Sequence, residues 1–213
     1  MNEIVLIGDV VKSRNSFDSA LWDEFHTTIN SLNIAFKNSI KIPFTIYSGD
    51  SFGATFIDIA SAIKVTLALS ETAIQYEFRI VINEGEVNYG LESNNFLVLE
   101  GPALWQSGKQ MKNLKKSGNY IAVNLKNETL SLVISTILNF ILTIKYNWSI
   151  KQKLIYQGFK KNKKQKDIAK QYKLSQQYIS KIIKQSKFKL IIESEKNLNE
   201  ILNGINQLIY NSK

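Results

Sequence analysis

The sequence predicts an α+β fold in two parts, an N-terminal part in which strands alternate with helices and a C-terminal part that is helical throughout. Three observations carry this. Short apolar runs of strand length alternate with helix-period segments over residues 1–125. From Glu128 onward every apolar period is helical. Between Lys145 and Leu190 there are fourteen lysines and one acid, Asp167, so this segment carries about +13 and the remainder about −4 within a net charge of +9. A basic block attached to a mildly acidic body is the electrostatic footprint of nucleic-acid binding.

The elements follow in order. "EIVLIGDV" reads as a strand that ends on Gly8-Asp9. In "SALWDEFHTTINSLNIAF", Leu21, Phe25, Ile29, Leu32 and Phe36 recur at spacings of three and four, as one helical face requires. "KIPFTIYSGD" and "SFGATFID" form a hairpin whose turn holds Gly49-Asp50. "ASAIKVTLALSETAIQ" is a second helix, and "YEFRIVINEGEV" a fourth strand. Next come a loop, a short strand "NFLVLEG", a helix from Pro102 to about Lys115 with proline in its first turn, and a last strand "YIAVNL". The order β, α, β, β, α, β with a later helix and strand is the ferredoxin-like split arrangement, extended at its C-terminal end. "ETLSLVISTILNFILTIKYN" is a connecting helix. The expected organisation is therefore a ferredoxin-fold domain at 1–126, a connecting helix at 127–148 and a helical domain at 149–213.

Composition excludes several chemistries. With no cysteine, there are no disulfides, thiolate zinc sites or cysteine nucleophiles, and the lone His26 forms no histidine cluster. Any metal site is built from oxygen ligands, which points to magnesium or manganese. No stretch approaches ~18 uninterrupted apolar residues, and the N-terminus lacks a basic-then-apolar leader, so a soluble, cytoplasmic protein is expected.

The N-terminal landmarks resemble the catalytic domain of class III nucleotidyl cyclases and, more closely, the SatD family. The resemblance rests on "IGDVVKSR" at 7–14, "YSGDSFGATF" at 47–56, "FRIVINEGEV" at 78–87 and "LEGPALWQSGKQM" at 99–111. It implies that Asp9 and Asp50 share magnesium or manganese ions that hold a triphosphate and activate a hydroxyl. It further implies that the Val10 carbonyl completes the metal ligand set and that the amides of Val11 to Ser13 meet phosphate oxygens. Ser13 and Arg14 add a hydroxyl and a fixed charge there. Gly8 and Gly49 allow close approach of a phosphate and the unusual φ of a turn. Two departures weaken a cyclase reading. Counting from Gly101, the transition-state Asn and Arg positions hold Trp105 and Lys109, and the purine-reading lysine falls near Ile46. Lys109 approximates the arginine; the asparagine is lost.

In the basic part, "QKDIAKQYKLSQQYISKIIKQS" at 165–186 fits a helix-turn-helix of the sigma-factor region 4 kind. Around Ala169 the apolar slots are filled by Ile168, Tyr172, Leu174, Ile179 and Ile182. Lys173 stands where the turn often takes glycine, a departure that costs about 1 kcal/mol if φ is positive. Ser175 is a natural N-cap. The second helix then presents Gln176, Gln177, Ser180, Lys181 and Lys184 to base edges and phosphates, with Lys163 and Lys164 at the edge of the preceding helix. Trp148, Leu154, Ile155 and Phe159 complete the small core. Ile191, Leu198, Ile201, Leu202, Ile205, Leu208 and Ile209 form a stripe on the last helix.

Two functions are consistent with these residues. One is a DNA-binding regulator whose cyclase-like domain senses a nucleotide with metal or supplies dimerisation. The other is a divergent metal-dependent nucleotidyl cyclase or nucleotidyltransferase with an accessory DNA-binding domain. Both imply duplex DNA as a partner and a homodimer; a nucleoside triphosphate or other nucleotide is a partner of the enzyme and of a regulator that senses it. The lost asparagine and lysine favour the regulator.

Overall fold

The computed structural model describes residues 2–12 and 19–211, with side chains of the last helix described as far as Gly204. The chain divides into two compact units, residues 1–139 and 140–213. The division falls within a single helix, inside the segment expected to connect the two parts.

Unit 1 is built from β1 (Asn2–Val10), α1 (Ser19–Ala35), β2 (Ile40–Tyr47), β3 (Ser51–Phe56), α2 (Ile59–Thr72), β4 (Phe78–Glu86), α3 (Pro102–Ser117), β5 (Ile121–Asn124) and the first part of α4 (Glu128–Tyr146). The sheet order is β2-β3-β1-β4-β5. β1 runs antiparallel to both β3 and β4, while β5 lies parallel to β4. The fold class is thus the predicted α+β, with a ferredoxin-like βαββαβ core, extended by α3 and β5 and followed by a helical part.

Local chemistry sets the element ends. The Asp58 carboxylate accepts from the Ser61 amide at 2.7 Å and starts α2. Pro102 sits in the first turn of α3, and Gly118, at φ 74°, ends it. The strand expected in "NFLVLEG" is instead a single helical turn at Phe96–Val98. Asn95 captures the Leu97 amide with its side chain at 3.0 Å, which turns the backbone away from a ladder and leaves only the bridge between Tyr89 and Glu100.

Strand alternation gives the sheet two different faces. One carries an aromatic cluster in which Phe25 of α1 meets Phe52 of β3 and Phe78 of β4, with ring centroids 5.8 and 6.3 Å apart. The other packs Val5, Ile7, Ile42 and Val81 beneath Phe96, Leu99, Ala103, Met111 and Leu114. Asp9 follows Val5 and Ile7 on this second face.

α4 is long and apolar enough by composition to cross a membrane. Within unit 1, however, Ile134 and Leu138 are buried and its polar row is spent on the sheet. Ser131 Oγ accepts from the Leu125 amide at 2.8 Å, Ser135 Oγ from Val123 at 2.9 Å, and Asn139 Oδ1 from Tyr120 and Ile121 at 2.9 and 3.1 Å. These bonds close the outer edge of β5.

Unit 2 contains the end of α4, then α5 (Ile150–Lys160), α6 (Gln165–Gln171), α7 (Gln176–Gln185) and α8 (Phe188–Asn211). Ser149 and Gln152 form a reciprocal capping box at the start of α5. Trp148, Ile155, Tyr156, Ile168, Ala169, Ile179, Ile182, Ile183 and Phe188 are buried. Leu154, Phe159, Tyr172 and Leu174 are half-buried at its margin. On α8, Ile191, Leu198 and Leu202 are buried, but Ile201 is exposed. The expected stripe is narrower for that reason, and the side chains of Ile205, Leu208 and Ile209 lie outside the described residues.

Candidate functional site

In unit 1 the first Gly-Asp pair ends β1. Gly8 pairs with Phe52 of β3, and Asp9 with Arg79 of β4. Continuing the β1–β3 register by two places sets Val10 across from Asp50, so the two Gly-Asp pairs meet at neighbouring strand ends. Val11 donates its amide to the Glu77 carbonyl at 2.8 Å. By the alternation of an antiparallel ladder, Val10 then turns its own amide and carbonyl toward the Asp50 side.

The structure brings other groups to Asp9 than the sequence suggested. Asp9 is buried. Lys115 of α3 places Nζ 2.5 Å from Oδ2, and the Arg79 guanidinium lies 3.6 Å from Oδ1. Oδ1 is itself buried without a hydrogen bond. Neither cation is conspicuous in sequence. Arg79 shares the Asp9 face only through the β1–β4 register. Lys115 sits one position past Leu114 on the buried Ala103–Ser107–Met111–Leu114 stripe of α3, which was the available signal. Beside them, Tyr47 stacks on Phe96 with centroids 6.0 Å apart. Its hydroxyl pKa is pushed up to about 12, first by burial and then by the Asp9 charge.

Four expectations change here. The Val11 amide is not open to a phosphate, because the ladder to Glu77 uses it. Gly8 is small for a packing reason: a Cβ there would stand 2.3 Å from the Phe52 ring. Lys109 and Trp105 are exposed on α3, Trp105 by 67%, and the α3 cation that meets Asp9 is Lys115 instead. Finally, no group of three or more metal-ligating side chains occurs among the described residues, and the Asp9 carboxylate is bracketed by two cations. The Asp9 carboxylate expected to take a metal is thus met by the chain's own Lys115 and Arg79. Gly49 keeps its expected turn role, at φ 81° with open space around it. Ser13 and Arg14 lie outside the described residues.

In unit 2 the expected polar face is laid out on one helix. Gln176, Gln177, Ser180, Lys181 and Lys184 of α7 are exposed, while Ile179, Ile182 and Ile183 of the same helix are buried. The turn before it is fixed by three local features. Lys173 adopts φ 53°, Leu174 donates to the Ala169 carbonyl at 2.9 Å, and Ser175 Oγ accepts from the Tyr178 amide at 3.1 Å. Lys164 is exposed at the start of α6, and Lys163 Nζ donates to Gln171 Oε1 at 3.0 Å.

Unit 2 also holds an ionic group that sequence reasoning missed. Glu195 of α8 is buried and accepts from Lys145 Nζ at 2.8 Å, Lys160 Nζ at 2.7 Å and Tyr156 Oη at 3.3 Å. Burial alone raises the Glu195 pKa, but the two ammonium groups outweigh it and hold the carboxyl below the ordinary glutamate value. The signal was a charge on an apolar stripe: Lys145 beside Leu138, Ile141 and Leu142, and Glu195 between Ile191 and Leu198.

Residues 3–202 match the SatD family, and the chain belongs to it. No curated protein matches it. Structures with a similar trace include cyclase catalytic domains. A bacterial light-regulated adenylyl cyclase is 14% identical, with 57% of this chain and 74% of that one covered at TM-score 0.43. The catalytic core of a rhodopsin-guanylyl cyclase in complex with ATPalphaS is 14% identical, with 57% and 76% covered at 0.42. A regulator of polyketide synthase expression from Bifidobacterium adolescentis is 11% identical, with 94% and 80% covered at 0.27. The fold assignment rests on the strand order above and not on these likenesses.

Proposed function

We propose that this protein is a cytoplasmic DNA-binding regulator that acts as a homodimer. In this reading α6 and α7 form a helix-turn-helix, and the ferredoxin-like unit supplies dimerisation or nucleotide sensing. The observation that carries it is the two-sided character of α7, whose exposed face carries Gln176, Gln177, Ser180, Lys181 and Lys184, with Tyr178 among them, opposite a buried isoleucine face. Glutamine amides suit base edges in a major groove, and the lysines suit phosphates. The fourteen lysines between Lys145 and Leu190 supply the sequence-independent attraction.

The test is selection from random duplexes, followed by binding to the enriched site. Gln177→Ala loses roughly 1 to 3 kcal/mol on that site and relaxes preference at one position. Lys164→Ala weakens all sequences alike and flattens the salt slope by about one unit. Recovery of no enriched sequence, together with full affinity in a Gln177→Ala, Lys181→Ala variant, removes the helix-turn-helix reading. A monomer by light scattering at micromolar concentration removes the homodimer.

The second reading, a magnesium- or manganese-dependent nucleotidyl cyclase or nucleotidyltransferase, is supported by Asp9 and Asp50 at neighbouring strand ends. Against it stand Lys115 and Arg79 on Asp9, and Trp105 and Ile46 at the positions discussed above. Incubation with the four ribonucleoside triphosphates and either metal, reading product, decides between the two.

A further inference from the structure

The Asp9 corner combines three features. The carboxylate is 95% buried by its side chain, one oxygen is held at 2.5 Å by an ammonium group, and the other has no hydrogen bond. Lys115 reaches it from the C-terminal turns of α3 with its own side chain half exposed, so its head lies between the carboxylate and solvent. Arg79, opposite Asp9 in the ladder, supplies a second positive charge from within the sheet. A buried carboxylate needs a counter-charge, and here the chain provides it twice.

We propose that Lys115 is the resident counter-ion of Asp9 and takes the electrostatic place of a divalent cation, so that this corner works without metal. A magnesium or manganese ion placed on Asp9 would face the positive charges of Lys115 and Arg79. It would also give up water that such ions release reluctantly. The ammonium group, by contrast, is delivered on a helix that packing already fixes: Ala103, Ser107, Met111 and Leu114 hold the buried side of α3 against the sheet. The inference concerns unit 1 alone and stands or falls independently of DNA binding by unit 2.

The experiment is a titration of the full-length protein with manganous ion, read by loss of the free-ion electron paramagnetic resonance signal, with melting temperature in magnesium and in EDTA as a second measure. Wild type is expected to show no manganese site that Asp9→Asn removes, and the same melting temperature in both buffers. Lys115→Met is expected to bind manganese about tenfold more tightly than wild type, and the gain is expected to vanish in Lys115→Met, Asp9→Asn. Lys115→Arg, which keeps the charge, is expected to exclude the metal as wild type does. If Lys115→Met does not fold, Lys115→Gln serves the same comparison. An Asp9-dependent manganese site in wild type overturns the proposal, as does a Lys115→Met or Lys115→Gln variant that gains nothing, or a gain that survives Asp9→Asn.

Discussion

Each unit buries one carboxylate between two cations, and the two solutions differ in completeness. In unit 2 both oxygens of Glu195 are hydrogen-bonded, a tyrosine hydroxyl adds a third donor, and the Lys145 side chain is only 3% exposed. In unit 1 one oxygen of Asp9 lacks a hydrogen bond, the nearer cation is 50% exposed and the farther one sits at 3.6 Å. The first is a closed staple between α4, α5 and α8, whereas the second is an arrangement with capacity left over. A fully satisfied buried charge rigidifies the packing around it, and a partly satisfied one holds its corner less firmly.

The sharpest way to break this contrast is Glu195→Gln. It removes the buried negative charge that Lys145 and Lys160 meet and should cost unit 2 about 3–5 kcal/mol, measured by urea unfolding followed by circular dichroism. Acid probes the same group without mutation. Because the folded Glu195 pKa is lowered, its contribution is present above the ordinary glutamate value and is lost as pH falls through the lowered one. Wild type should therefore lose stability on acidification more steeply than Glu195→Gln.

Tyr47 gives unit 1 a dependence at the opposite end of the scale. Its folded pKa of about 12 lies above the unfolded value, so its contribution is complete below pH 10 and disappears as pH rises toward 12. The loss should reach roughly 2–3 kcal/mol, and Tyr47→Phe should flatten that alkaline limb. Gly8→Ala drives a methyl group into the Phe52 ring and should destabilise unit 1 by about 1–3 kcal/mol, read by thermal unfolding. The smallest effect is expected for Lys115→Met, under about 1 kcal/mol, since Arg79 stays with Asp9 and the lysine head is half in solvent. A loss for Lys115→Met as large as that for Glu195→Gln would erase the distinction between the two carboxylates.

Most of the fold was legible because it is written in local period. Phe25, Ile29 and Leu32 mark the buried side of α1, and Ile179 and Ile182 that of α7, from spacing alone. The turn at Lys173 and the cap at Ser175 were legible from local chemistry. "NFLVLEG" misled because four apolar residues in five look like a strand, while Asn95, two residues before Leu97, decides the backbone. The charged groups were the least legible. Asp9 was singled out by its glycine and its strand end, but its partners come from β4 and from α3, 70 and 106 residues along. Glu195 and Lys145 are 50 residues apart, and nothing local pairs them. Register and helix packing make these contacts, and neither is a property of a short window.

The row Ser131, Ser135 and Asn139 on α4 meets the amides of Leu125, Val123 and Ile121 in turn, every fourth residue of a helix against every second residue of a strand. The two rulers nearly agree: four helical residues advance about 6 Å and two strand residues about 6.6 Å. Over two steps the discrepancy is about 1.2 Å, which flexible side chains absorb, but it grows with every further rung. A helix can therefore impersonate a neighbouring strand only for a short distance, and β5, at four residues, stays within that distance. The sheet is finished on this side by vernier matching, and lengthening β5 would reopen an edge that its helix could no longer follow.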